Sequence, residues 1–105
     1  MMELATYQKE ALKTLQPSAD AMYVFTKLII EAGEAAQPIV KAKYHGKPVD
    51  YAYVVDELSD CLWYLTAAAD AIGASLEEVA AHNIAKLRNR HGETYNPEFY
   101  QAVNP

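Results

Sequence analysis

Two pairs of carboxylates are the residues of this sequence that point most directly to chemistry. They are Glu31 and Glu34 in the segment IIEAGEAAQ, and Glu57 and Asp60 in VVDELSDCLWYL. Residues three apart on an α-helix lie on neighbouring turns of one face. Hard divalent cations prefer oxygen ligands, and Mg²⁺ held by carboxylates commonly also holds substrate phosphates. The spacing therefore points to a metal site, although two solvated acidic faces on separate helices have the same spacing.

Both pairs lie at the border of an apolar stripe, at about 100° per residue. Glu31 is at the edge of its stripe with Glu34 just outside, and Glu57 and Asp60 repeat this arrangement. The stripes consist of Val24, Leu28, Ala35 and Ile39 in the first segment, and Val54, Leu58, Cys61 and Leu65 in the second. Carboxylates gathered at a partly buried seam repel one another and lose hydration, so something must compensate, and a divalent cation is one group that can.

The turn between the two segments constrains how the pairs meet. The chain midpoint between Glu34 and Glu57 falls just before Gly46, and so does the midpoint between Glu31 and Asp60. An antiparallel helical hairpin folded about this point would bring Glu34 level with Glu57, and Glu31 level with Asp60.

A third segment, NIAKLRNRHG, carries an amide and two cations on one side of a predicted helix. Asn83, Lys86 and Arg90 fall within about 60° of one another on a helical wheel. Such groups suit phosphate oxygens, which Arg can bind with two hydrogen bonds. A cationic last turn that complements the helix dipole is the alternative, and it also accounts for Arg88.

Aromatic side chains accompany the second acid pair. Tyr53 and Tyr64 share its face and Trp63 is adjacent, so all three are candidates for stacking on a nucleotide base, with core or interface packing as the alternative. Lys27, one turn before Glu31, could offset the acids or contact phosphate.

Apolar residues recur at helical spacing throughout, and no pair of alternating runs flanks a hairpin turn. The predicted helices cover residues 3–15, 20–43 (kinked or divided at Pro38), 50–72 and 75–90, with a last short turn at 96–98. The predicted fold is thus an all-α bundle of four to five helices in a single domain, 1–105. So small a core is marginal alone, and the wide apolar arcs of the second and third helices predict an oligomer.

Composition limits the alternatives. The chain has 105 residues and a net charge of −5, which argues against a generally basic surface for a nucleic-acid polymer. The apolar runs are too short for a membrane span, and no signal peptide is visible. Cys61 is the only cysteine, which excludes an intrachain disulfide and a Cys-rich zinc site and fits a cytoplasmic location.

The three segments EAGE, DELSDCLWYL and NIAKLRNRHG together resemble the MazG-like branch of the all-α nucleoside triphosphate pyrophosphohydrolases. The family pattern is E-x-x-E, a spacer, E-x-x-D, and then a helix carrying Asn, Lys and Arg. The resemblance covers roughly residues 20–95. The sequence departs from the family pattern at Ile30, where a further acid is common, and at Asp56, where Glu is common.

The resemblance implies Mg²⁺-dependent hydrolysis of a (deoxy)nucleoside triphosphate to monophosphate and pyrophosphate, with Mn²⁺ as a possible substitute. It also implies a homodimer or homotetramer with sites at subunit interfaces. Its metal ligands would be Glu31, Glu34, Glu57 and Asp60, and its phosphate-binding residues Asn83, Lys86 and Arg90. Glu34 is the candidate catalytic base, because a carboxylate that the metal does not fully use can accept a proton from water.

Two kinds of alternative remain. Within the same fold, the substrate could be dUTP or phosphoribosyl-ATP. Outside catalysis, the chain could be a helical interaction module whose acids are solvated and whose behaviour does not depend on metal. A di-iron carboxylate bundle would need Glu-x-x-His pairs, and the sequence has none.

Overall fold

The computed structural model describes residues 1–98, and all regular structure in them is helical. The elements are α1 (Leu4–Ala11), a 3₁₀ turn (Leu12–Thr14), α2 (Ala21–His45), α3 (Tyr51–Ala71) and α4 (Leu76–His91). Residues 97–98 are helical, at the position of the predicted last short turn, and residues 99–105 lie outside the described part of the chain. The predicted all-α fold is confirmed. None of the helices in residues 1–98 has both the length and the apolar character needed to cross a bilayer.

The three long helices begin where short polar side chains satisfy their first N–H groups. Asp20, Asp50 and Ser75 each precede their helix, and each accepts a hydrogen bond from the backbone N–H three residues further on. This contact satisfies one of the N–H groups that a helix start leaves without a partner inside the helix. At the other end of α2, Gly46 adopts a left-handed conformation with φ 64° and lets the chain turn back.

The sequence predicts that Pro38 kinks or divides helix α2. The helix runs through Pro38 without interruption, so the division does not occur. Proline removes one hydrogen bond within the helix. Pro38 is buried, however, and packing of one helix face against a neighbour supplies most of the stability of helices in proteins. A single lost hydrogen bond is therefore compatible with a continuous helix here.

The fold is organised around a hairpin of α2 and α3, which make the most extensive helix–helix contact in the described residues. Its small core consists of Val24, Ala67 and Ala68, and partly buried apolar residues from the N-terminal region and both long helices pack against it. Ile39, Leu58 and Leu65, predicted as members of the buried stripes, remain 55%, 56% and 40% exposed. The face that the hairpin buries is therefore narrower than the apolar arc that the sequence provides.

The molecule is more open than a compact chain of its size. Its radius of gyration is 16.7 Å, against about 13 Å for a compact domain of this length. Its accessible surface is 7986 Å², against about 5,900 Å² for a folded monomer of this mass. Much of the additional surface is apolar, because α2 and α3 each leave long hydrophobic side chains exposed.

Candidate metal and phosphate site

Three of the four predicted ligands meet between α2 and α3. Glu31 of α2 and Glu57 and Asp60 of α3 each place a carboxylate oxygen within 4.8 Å of the others. Glu31 and Glu57 are both only 8% exposed, although both are acids. Glu31 and Asp60 were predicted to lie level across the hairpin, and they do come together. We call these three residues the acid cluster.

The acid cluster contains an unsatisfied polar atom. Oε2 of Glu57 is buried and has no hydrogen-bond partner among the described residues. A buried polar atom without a partner is costly, and a carboxylate oxygen in that state is more costly still. A hard divalent cation would satisfy it, since such cations bind carboxylate oxygens by preference. The residues present therefore fit a divalent metal ion.

One lysine offsets part of the charge of the acid cluster. Nζ of Lys27 lies 3.7 Å from Oε1 of Glu31 and 5.7 Å from the centre of the Tyr64 ring. A single ammonium leaves three nearby carboxylates with excess negative charge. Burial raises the pKa of Asp60, and the charges of Glu31 and Asp56 raise it further. Burial followed by the charge of Glu31 likewise raises the pKa of Cys61.

Glu34, the fourth predicted ligand, lies outside the acid cluster and is exposed. Its position is indicated by Tyr53, whose pKa is raised first by the charge of Glu57 and then by burial, by hydrogen bonding to Glu57, and by the charges of Glu34 and Asp56. The negative charges of Glu34 and Glu57 therefore both raise the pKa of the Tyr53 hydroxyl. This places Glu34 at the outer edge of the site, where its role as a ligand stays a prediction.

The predicted phosphate-binding residues lie on an exposed part of α4. Residues 81–90 are all exposed, and Leu76 in the first turn is the one buried residue of this helix. Within residues 1–98 no hydrogen bond or ion pair joins Asn83 or Lys86 to the acid cluster. The carbonyl of Arg90 accepts a hydrogen bond of 3.2 Å from the amide of Asn96. The folded chain therefore presents Asn83 and Lys86 to solvent and does not pair either of them with the carboxylates.

The three candidate aromatic residues have different surroundings. Tyr53 is 47% exposed and lies beside Glu57. Tyr64 is half-buried near the acid cluster, and burial together with a hydrogen bond to Tyr23 raises its pKa. Trp63 faces elsewhere, since its Nε1 donates to the carbonyl of Ala11 at 3.0 Å and its ring packs against the core. These contacts account for Trp63 without a bound base.

Sequence reasoning overlooked Tyr23 as a neighbour of the site. Tyr23, Lys27 and Glu31 are spaced four residues apart, and residues at this spacing share one helix face. The signal was therefore present in the spacing, but Tyr23 precedes the segment that carries the acids. Cys61, interpreted as a small apolar residue, also borders the acid cluster, as the effect of Glu31 on its pKa shows.

Comparison with known families agrees with the resemblance. The family model described as the MazG nucleotide pyrophosphohydrolase domain matches residues 23–95. The matched region contains the acid cluster, Glu34 and the exposed stretch of α4. No curated protein and no solved structure matched the chain.

Proposed function

Because the chain belongs to the MazG nucleotide pyrophosphohydrolase domain family, we propose that it hydrolyses a (deoxy)nucleoside triphosphate to monophosphate and pyrophosphate, using Mg²⁺. The acid cluster is the observation that carries the proposal. Two nearly buried glutamates and an aspartate lie together, and Oε2 of Glu57 has no partner. Such an arrangement is costly in a purely structural role and is explained by a cation that binds with the substrate.

Glu31, Glu57 and Asp60 would hold the metal ion, with Glu34 as a further ligand at the outer edge of the site. Bound Mg²⁺, or Mn²⁺ in its place, supplies polarisation of a phosphoryl group and a bound water of lowered pKa. Lys27 offsets part of the negative charge of Glu31, because its ammonium lies 3.7 Å from that carboxylate.

The remaining residues act on the water and on the nucleotide. Glu34 is our candidate for accepting the proton of the attacking water, because it is exposed and not held within the acid cluster. Asn83, Lys86 and Arg90 bind the phosphates, and the two cations offset charge that develops on the leaving pyrophosphate. Tyr53 and Tyr64, which border the acid cluster, are our candidates for stacking on the base.

Self-association completes the proposal. On each long helix a set of exposed apolar residues is spaced by three, four, seven or ten residues, which keeps the set on one face, as in a helix–helix interface. They are Met22, Phe25, Ile29 and Ile39 on α2, and Tyr51, Val55, Leu58, Leu62, Leu65 and Ile72 on α3. A second copy of the chain would cover these residues, which we call the exposed stripes. The open shape of the single chain supports a homodimer or homotetramer in which the site lies beside a subunit interface.

A panel of triphosphates tests the activity directly. Pyrophosphate release should be measured for the common nucleotides, for modified nucleotides, for dUTP and for phosphoribosyl-ATP, each with Mg²⁺, with Mn²⁺ and with a chelator. We expect release from at least one triphosphate, lost on chelation. Preference for dUTP or phosphoribosyl-ATP would select one of the same-fold alternatives. No release from any of them, with no response to metal, would favour a non-enzymatic helical interaction module.

Magnesium is expected to stabilise the fold, because it relieves the repulsion within the acid cluster. A ligand present at ten times its dissociation constant adds about 1.4 kcal/mol to the free energy of unfolding. For a domain of this size that corresponds to a rise of about 6–11 °C in Tm. Thermal unfolding followed by circular dichroism with and without millimolar MgCl₂, at matched ionic strength, measures the shift.

The magnesium effect should depend on pH in a defined direction. Since the pKa of Asp60 is raised, the stabilisation from its proton is fully present below the ordinary Asp value of about 3.9 and is lost as the pH rises through the raised value. Protons and Mg²⁺ compete for this carboxylate. The shift in Tm should therefore be smaller at about pH 4, where a carboxyl of raised pKa is largely protonated, than at about pH 7.5. An equal shift at both values, or none at either, would contradict a metal site at Asp60.

A further inference from the structure

Helix α4 is anchored through its first turn to the N-terminal helix. Leu76, the first residue of α4, is 4% exposed, and its backbone N–H donates a 2.7 Å hydrogen bond to Oε1 of Gln8 in α1. The contact of α4 with α1 is at least as extensive as its contact with α3, the helix that precedes it in the chain. Helix α1 lies outside residues 23–95, the part of the chain that the family model matches.

The Gln8 contact belongs to the capping of α4. The first N–H groups of a helix have no partner within the helix. Ser75 supplies an oxygen to the N–H of Glu78 at 2.9 Å, and Gln8 supplies one to the N–H of Leu76. The side chain of a distant helix thus satisfies a backbone group that the capping serine does not reach, and it fixes the start of α4 relative to α1.

Helix α1 is also hydrogen-bonded to α3. After Ala11 the chain tightens into a 3₁₀ turn, in which the N–H of Leu15 bonds to the carbonyl of Leu12. The carbonyl of Ala11, at the start of this turn, accepts from two side chains, namely from Nε1 of Trp63 at 3.0 Å and from the hydroxyl of Thr14 at 2.8 Å. Trp63 belongs to α3 and packs against the core, so α1 connects the core of the hairpin to the first residue of α4.

We propose that α1 is a brace that sets the direction of α4, and that Gln8 is a positioning residue for the phosphate-binding residues on that helix. The proposal rests on the proposed function, because it assigns Asn83, Lys86 and Arg90 to the substrate phosphates. Gln8 itself touches none of the reacting groups. It acts through the backbone of Leu76 and the orientation of the helix that begins there.

A small change in the direction of α4 at its first turn moves the cations further along the helix by several ångströms. Lys86 and Arg90 lie ten and fourteen residues beyond Leu76, which is about 15 Å and 21 Å along the helix. A tilt of about 10° at Leu76 would therefore move Arg90 by roughly 4 Å. Misplacement of a binding group by about 1 Å can cost about 10²-fold in rate. Because residues 81–90 are exposed in the single chain, the brace at the first turn has a large influence on where the cations point.

Kinetics of Gln8 variants test the positioning role. Gln8→Leu removes the acceptor and is expected to raise KM for the triphosphate about tenfold or more, because the phosphate-binding residues are displaced. It should lower kcat as well, because Lys86 and Arg90 then no longer offset the charge of the leaving pyrophosphate. Gln8→Glu keeps an oxygen that can accept from Leu76 and should restore KM. Gln16→Leu makes the same chemical change at an exposed position outside the brace and should leave both constants unchanged. Failure of Gln8→Glu to restore KM would overturn the acceptor role.

A combined-variant comparison shows whether Gln8 acts through α4. In an Asn83→Ala, Lys86→Ala, Arg90→Ala background α4 carries none of the proposed phosphate-binding residues, so its direction no longer matters for phosphate binding. Gln8→Leu should then add little to the loss already present, because effects on one functional unit are not additive. A full additional tenfold rise in KM would mean that Gln8 acts by another route and would overturn the proposal.

A distance measurement tests the brace without any turnover. Spin labels at Lys41→Cys on α2 and Arg88→Cys on α4, in a Cys61→Ala background diluted with unlabelled protein, report the α2–α4 distance by pulsed electron resonance. We expect a narrow distribution with Gln8, a broad or displaced one with Gln8→Leu, and a narrow one again with Gln8→Glu. An unchanged distribution in Gln8→Leu would overturn the brace. If the intact protein releases no pyrophosphate from any triphosphate while the distribution responds as expected, the brace stands and the proposed function fails.

Discussion

Replacing Glu57 with Gln is expected to abolish pyrophosphate release while leaving the helical fold intact. The amide keeps the shape of the side chain but loses the negative charge that a divalent cation requires of its ligand. Removal of one electrostatic contact at a transition state commonly costs about 10²–10³-fold in kcat, and loss of a metal ligand should cost at least this much. Steady-state release of pyrophosphate, measured with the best substrate of the panel, gives the value.

The same substitution should not lower the stability of the fold in the absence of metal, although it abolishes activity. Glu57 is 8% exposed, and its Oε2 has no hydrogen-bond partner among the described residues. Gln at this position removes the repulsion from Glu31 and Asp60, so the Tm without magnesium should stay level or rise. The magnesium-induced rise in Tm should disappear. Activity and stability then change in different directions, which separates loss of a ligand from loss of the fold.

Asp70→Asn is the matched control. Asp70 lies on the same helix and is exposed, and it lies outside the group of acids whose oxygens converge. The control removes one negative charge of the same kind, so it should keep both the activity and the response to magnesium. Retained turnover in Glu57→Gln would refute the ligand assignment, and equal losses in both variants would mean that overall charge, not ligation, controls the rate.

Helical periodicity singled out the three acids of the acid cluster together with Glu34, which lies outside the cluster. Glu31 and Glu57 were placed at the edges of apolar stripes, and both are buried; Glu34 and Asp60 were placed just outside, and both are more exposed. This success has a simple cause, because the angle between residues on one helix is fixed by local geometry. The pairing of Glu31 with Asp60 across the hairpin followed from chain distances on either side of the turn.

The interactions that the sequence did not reveal join parts of the chain that lie far apart. The hydrogen bond from Leu76 to Gln8 spans 68 residues, and the bond from Trp63 to Ala11 spans 52. No spacing rule relates such positions, and each bond depends on how helices dock. From the sequence, Trp63 is a candidate for stacking on a base, because no feature of the sequence indicates that its indole bonds to Ala11 and packs against the core. The direction of α4 was hidden for the same reason, since tertiary contacts at its first turn determine it.

Replacing Ile29 with Glu is expected to dissociate the oligomer. Ile29 is 74% exposed in the single chain, so the substitution should not disturb the fold of one subunit. Burial of a side chain of this size stabilises by about 1.5–3 kcal/mol. A two-fold interface contains the residue twice. Loss of both contacts would raise the dimer dissociation constant by roughly 10²–10⁴-fold, and the buried charge adds to the effect.

Sedimentation velocity over a range of protein concentrations measures this change, and Ile29→Met is the control because it keeps an apolar side chain of similar size. Activity should be assayed at the same concentrations. If the site lies at a subunit interface, turnover per chain should fall together with the fraction of associated protein, and should recover in Ile29→Glu only at much higher concentration. A wild-type protein that is monomeric at micromolar concentration would contradict the proposed self-association. Unchanged association in Ile29→Glu would instead place the interface away from this stripe of α2, because a glutamate cannot be buried there without a partner.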